Sequence, residues 1–189
     1  MTSLREPSTN VPSTSDELDE ERHLELNKEV ARQVVERIFV NGEDAAIDEL
    51  IATDFTPYTF GPMPPGRDGL REGMRRAHQG VSDPEFTIHD MVAEGDKVAV
   101  RLTTSARQTG TFMGLPPTGR RYEIDEMHLF GIRGGQVAEH WHVFDKGDLM
   151  RQLTDDPDED GGGKAPPAKG GGGAGGAGRR DNRDEWDIE

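Results

Sequence analysis

Cysteine is absent from the 189-residue chain, which excludes a disulfide framework, a thiol nucleophile and any cysteine-ligated zinc or iron–sulfur centre. Long apolar runs are missing too. None approaches the roughly 20 residues needed to span a bilayer, and residues 1–17 lack the basic start and apolar stretch of a secretory signal. These absences are those expected of a soluble, cytoplasmic protein. Lysine is scarce, 5 of 22 basic residues against 37 acidic ones, and the net charge is −15. So acidic a chain argues against general affinity for nucleic acid or anionic membrane, because phosphate-binding surfaces need clustered Lys and Arg. The shortage of lysine fits a cytosol kept at high salt, where repulsion between carboxylates is screened, or simply an arginine-preferring composition.

The length suits one domain with tails. Residues 1–14 are too polar to offset the entropy of ordering and are expected to be disordered. Residues 15–153 form the candidate domain. Residues 154–189 are acidic and glycine-rich, with ten glycines among the eighteen residues 161–178, and are expected to behave as a flexible coil. The terminal RDEWDIE, with Trp186 and Ile188 among acids, is either a docking motif for an unknown protein or a solubilising tail.

Within the domain the hydrophobic period changes once. Thr14 and Glu17 fit a capping box, and Leu24, Ala31, Val34, Val35 and Ile38 then recur at helical spacing as a core stripe. Asn41-Gly42 ends that helix, and a short helix through Ala45–Ile51 follows. Residues 54–60 read as extended. A third helix over 68–79 buries Leu70, Met74 and Ala77 and leaves Arg71, Arg75 and Arg76 in solvent, a wet face and not an anion site. From Pro84 the pattern alternates. One hairpin turns at Glu94-Gly95-Asp96, a wide connection spans 109–119, a second hairpin turns at Gly134-Gly135, and a helix over 147–153 closes the domain. Helices followed by an antiparallel meander make an α+β fold.

The words of this sequence are more specific than its pattern. NGEDAAIDELIATDF, GRDGLREGMRRA and TGTFMGLPPTGRRYEIDEMHLFGIRGGQVAEHWHVFD, in that order, resemble the SnoaL-like polyketide or ester cyclase family of the NTF2-like superfamily, over about residues 24–153. The resemblance implies an NTF2-like cone-shaped barrel: a curved antiparallel sheet and N-terminal helices enclosing an apolar pocket, usually assembled as homodimers or homotetramers. It also implies cofactor-independent acid–base chemistry on an apolar, carbonyl-bearing small molecule, by intramolecular aldol condensation. Position by position, the family's catalytic histidine becomes His128, and the aspartate of its acid–base pair becomes His142. Glu126 stands where those cyclases carry a neutral amide. His142 is thus expected as general base or acid, His128 as the group that polarises the substrate oxygen, and Glu126 as the group that orients one of them.

Whether those residues meet depends on the second hairpin. With a two-residue turn at Gly134-Gly135, Arg133 faces Gln136, and outward counting sets His128 against Trp141. With a three-residue loop over 134–136 and a bulge, Arg133 faces Val137 and His128 faces His142. The resemblance favours the second, since it requires one cavity for the pair. Glu126, His128 and Phe130 then share a face with Ala138, His140, His142 and Phe144, so that His140, Phe130 and Phe144, with Tyr58 at the mouth, are candidate substrate contacts. Met127, Leu129, Glu139, Trp141 and Val143 take the other face, suited in part to a subunit interface. Asp145 is placed to cap the closing helix. Two other readings stay open. The pocket could hold a hydrophobic ligand without catalysis, and His128, His140 and His142 have the spacing of a three-histidine metal site.

Overall fold

The computed structural model describes residues 14–58 and 63–155. Expectations for 1–13 and 156–189, the RDEWDIE motif among them, and for positions 59–62 lie outside the described residues. Among the described residues no helix is long and apolar enough to cross a membrane.

Helix α1 (Thr14–Gln33) begins with acidic residues Asp16 and Glu17, which favours the positive end of the helix dipole. It continues as a π-helical segment, Val34–Val40. The wider π turn sets Val34, Val35, Ile38 and Phe39 all toward the core. Helix α2 (Asp44–Leu50) follows, and α3 (Gly66–Gly80) lies beside it. Arg71 of α3 bonds Asp44, Asp48 and Asp68, and Arg75 and Arg76 share Glu72. That arginine face is neutralised by local acids, as expected.

The sheet contains β1 (Ile51–Pro57), β2 (Val81–Glu94), β3 (Lys97–Gln108), β4 (Arg121–Arg133) and β5 (Gln136–Phe144) in the order β1-β5-β4-β3-β2. Every pairing is antiparallel except β1 with β5, which is parallel. The sheet is therefore open, with β1 and β2 as its edges. Helix α4 (Lys146–Thr154) closes the domain, capped by Asp145, whose Oδ1 accepts from the Asp148 N–H at 2.9 Å.

Apolar alternation on the strands supplies the core. Val98, Val100 and Leu102 of β3 are fully buried with Phe130, Ile132 and Val137 against the first three helices. A second cluster joins Ala106, Tyr122 and Ile124 to Leu149 and Leu153 of α4. Between the two clusters the inner face of the sheet lines a cavity of about 970 Å³.

The β4–β5 hairpin differs from the sequence expectation in one respect. Its turn has two residues, with Arg133 opposite Gln136 and φ of +59° at Gly134 and +77° at Gly135, the left-handed values that a type I′ turn requires. The predicted three-residue loop is thus corrected. The extra residue lies further along: the register shifts between Gly131↔Glu139 and Ile132↔Val137, so Ala138 is a bulge. Val137 and Ala138 are consecutive and both buried, and the bulge interrupts the alternation of faces at this point. The bulge restores the pairing His128↔His142.

Candidate active site

Alternation along β4 turns Glu126, His128 and Phe130 inward, and beyond the bulge β5 turns His140 and His142 to meet them. Glu126, His128, His140 and His142 are 7, 3, 2 and 6 % exposed. Burying four ionisable groups together is costly unless they bond one another, and they do. Glu126 Oε2 lies 3.0 Å from His128 Nε2 and 2.8 Å from His142 Nε2. His128 Nδ1 lies 2.9 Å from His140 Nε2. The imidazoles are stacked, with centroids 4.3 Å apart for His128 and His142 and 5.1 Å for His128 and His140. Phe39, presented by the π segment, packs 5.7 Å from His128 and 5.9 Å from His140.

Burial works to raise the Glu126 carboxyl, but bonds from His128 and His142 outweigh it and hold the group down at about 2. Burial is the largest influence on His128 and lowers its basicity, partly opposed by Glu126. Burial, then the neighbouring imidazoles, hold His140 well below the usual histidine range. An ionised carboxylate only accepts, so each imidazole nitrogen facing Glu126 presents an N–H to it. A neutral His128 that donates Nε2–H to Glu126 accepts at Nδ1, and its partner there is His140 Nε2. His142 also donates Nε2–H to Glu126, so the lone pair of a neutral His142 ring is at Nδ1.

Glu126, His128, His142 and Phe144 line the cavity, together with Phe39, Phe86, Thr104, Phe112, Met113, Tyr122 and Ile124 among others. Burial pushes the Tyr122 phenol up to about 12, with a smaller contribution from Glu126. His140 and Phe130, expected as substrate contacts, lie behind this wall; their rings stack at 4.7 Å. Tyr58 is not brought to the cavity mouth. Its backbone N–H bonds the His140 carbonyl at 2.9 Å, and its ring stacks on Trp141 at 4.5 Å beside Glu139, on the outer face of the sheet. Parallel pairing of β1 with β5 sets that position. Met127 and Val143 are exposed on the same outer face.

Among the described residues, the donor atoms near enough to share a cation belong to Glu126, His128 and His142, all within 4.8 Å. The carboxylate thus stands in place of His140 in the three-histidine set, because His140 Nε2 is turned to His128. Phe39, Thr104, Tyr122, Phe112 and Met113 were not singled out from sequence. For Phe39 a signal existed, since it follows Val35 by four positions.

A family model described as SnoaL-like polyketide cyclase matches residues 29–153. The nogalonic acid methyl ester cyclase of Streptomyces nogalater is 35 % identical over 132 residues, covering 65 % of this chain and 94 % of the relative. Among solved structures, TsrD from Streptomyces laurentii superposes with a TM-score of 0.60 at 31 % identity, covering 66 % of this chain and 94 % of its own. IdmH from Streptomyces antibioticus gives 0.58 at 29 %, covering 67 % and 97 %.

Proposed function

The chain belongs to the SnoaL-like polyketide cyclase family, and we propose that it closes a ring of an aromatic polyketide ester by intramolecular aldol condensation, with His142 as the acid–base group. The observation that carries this reading is the buried Glu126 carboxylate accepting from two imidazoles at 2.8 and 3.0 Å on the wall of an apolar cavity. With its Nε2–H held by Glu126, His142 has its basic nitrogen at Nδ1. That nitrogen removes the proton on the carbon next to a substrate carbonyl, and the imidazolium so formed is stabilised by Glu126. The enolate carbon attacks a second carbonyl carbon of the same molecule, forming the new carbon–carbon bond. The resulting alkoxide takes the proton back from His142. No net oxidant or reductant is consumed.

His128 takes a different part from the one the resemblance implies. Both of its ring nitrogens are hydrogen-bonded, to Glu126 and to His140, so we assign it to holding the carboxylate and not to protonating the substrate. The substrate class comes from the relatives, two of which are named as cyclases of nogalonic and aklanonic acid methyl esters. The outer sheet face around Met127 and Val143 is our assignment for contact with a second copy of the chain.

The test is turnover of aklanonic acid methyl ester and nogalonic acid methyl ester by the wild-type protein and by His142→Ala. A general base is worth about 10²–10⁴ in rate, so the variant should lose at least about a hundredfold while still binding the ester. Unchanged turnover in His142→Ala, or two esters left intact by the wild type, would overturn the assignment.

A further inference from the structure

The outer end of the cavity is bordered by a turn whose backbone does not suit its side chain. Phe112 and Leu115 exchange both backbone hydrogen bonds, at 3.1 and 2.9 Å, so Met113 and Gly114 form a two-residue turn between them. Their φ angles of +51° and +85° are those of a type I′ turn. Asn-Gly is the pair that this turn prefers, and a side chain with a Cβ is strained at its first position. Among the described residues one other non-glycine has a positive φ, Asp83, and its carboxylate accepts from Ser82 Oγ at 3.1 Å. A methionine has no polar group to offset a left-handed backbone.

The turn is anchored on both sides. Phe112 and Leu115 pack against the cluster that contains Leu149 and Leu153, and the Phe112 ring stacks on Tyr122 at 5.9 Å. The fully buried Gln108 side chain sets its Nε2 3.0–3.3 Å from the carbonyl oxygens of Gly110, Leu115 and Pro116, and its Oε1 accepts from Thr118 Oγ1 at 2.6 Å. Met113 and Gly114 line the cavity, and a Cβ built on Gly114 would meet nothing within 4 Å, so the tip stands in open space. Met113 is 40 % exposed, whereas Glu126, His128 and His142 are buried. The turn therefore marks the end of the cavity that solvent reaches, and the histidines mark the other.

We propose that Met113 is a substrate-binding residue whose thioether side chain covers the outer rings of a polycyclic aromatic substrate held with its reacting carbons at His142. This rests on the cavity being the substrate site. Backbone strain held in place by the surrounding structure is a mark of ligand contacts, and here it presents an apolar side chain that gains by being covered. An unbranched, polarisable thioether adapts to a flat ring, and its sulfur makes favourable contacts with aromatic edges. Because Gln108 and Phe112 already fix the turn, the contact forms without the cost of ordering a loop. The ligand selected is a flat, fused-ring skeleton that runs from the histidines to the mouth. A single ring at the histidines would leave Met113 in solvent.

The experiment compares the full-length wild type with Met113→Asn, which installs the pair that the turn prefers and removes the apolar chain, and Met113→Leu, which keeps apolar bulk on the same backbone. Melting temperatures are measured, and 1,8-dihydroxyanthraquinone, a flat fused-ring probe, is titrated by quenching of tryptophan fluorescence. The expected result is that Met113→Asn melts at or above the wild type yet binds the anthraquinone at least about fivefold more weakly, whereas Met113→Leu binds nearly as the wild type does. Equal affinities in wild type and Met113→Asn would overturn the proposal. So would equal weakening in Met113→Asn and Met113→Leu, which assigns the effect to the turn and not to the side chain, or a lower melting temperature in Met113→Asn, which gives the methionine a structural part. If the wild type does not bind the anthraquinone, the reading of the cavity itself fails and the proposal falls with it; if the wild type binds and Met113→Asn binds equally, the proposal fails alone.

Discussion

Replacing Glu126 by glutamine removes one charge and almost no volume from the centre of the site. In the wild type the carboxyl is lowered from its ordinary 4.5 to about 2. At about 1.4 kcal/mol per pH unit, that corresponds to about 3 kcal/mol of stability, an upper figure because glutamine still offers one oxygen to the two imidazole N–H groups. The sign follows from linkage. A carboxyl whose pKa is depressed by folding contributes fully above its unfolded value and loses that contribution as pH falls toward the folded value. The difference in unfolding free energy between wild type and Glu126→Gln should therefore reach up to about 3 kcal/mol at pH 5–7, and should shrink steadily between about pH 4.5 and 2. Urea denaturation followed by tryptophan fluorescence measures it. Trp141 is a suitable reporter, since it packs against Tyr58 and beneath the Lys97 ammonium at 4.4 Å. A stability difference that stays constant from pH 7 to 2.5 would refute the argument, because it would mean that the carboxyl is not held ionised by its histidines.

Two further substitutions test the frame around the site. Asp145→Ala removes the cap of α4 and should cost about 1 kcal/mol in urea denaturation; because Leu149 of that helix also lines the cavity, ligand affinity should fall as well. Gly69→Ala would set a Cβ 1.7 Å from the Pro64 carbonyl oxygen, so α3 must shift away from the preceding loop, and a loss of at least about 2 kcal/mol is expected. An Asp145→Ala or Gly69→Ala protein as stable as the wild type would contradict the packing described for those helices.

Periodicity made much of this architecture legible. The stripe through Ala31, Val34, Val35 and Ile38, and the alternation of Val98, Val100 and Leu102, are direct consequences of burying one face. The meeting of His128 with His142 was legible only through the family resemblance, because Gly134-Gly135 is compatible with either loop length and nothing about an alanine announces a bulge at 138. Tyr58 was misplaced because the sequence carries no sign that β1 joins β5 in parallel. His140 and Phe130 were assigned to the right face but not to the right depth, since alternation tells which side of a sheet a residue occupies and not what lies in front of it. Extending the β3 alternation by one step, from Leu102 to Thr104, would have placed that threonine on the inner face.

The bulge at Ala138 makes the candidate site a matter of parity. Between Gly131 and Glu139 the two strands contribute odd and even numbers of residues, and a two-residue turn alone would send His140 and His142 to the opposite surface. A single deletion in 136–138 would therefore exchange the histidine-bearing wall for the row containing Glu139, Trp141 and Val143, without changing any residue of either strand beyond it. A second, compensating change in the turn would restore it. Loop-length changes in this hairpin are thus tolerable in pairs and ruinous singly, a constraint that acts on counts of residues and not on their identities.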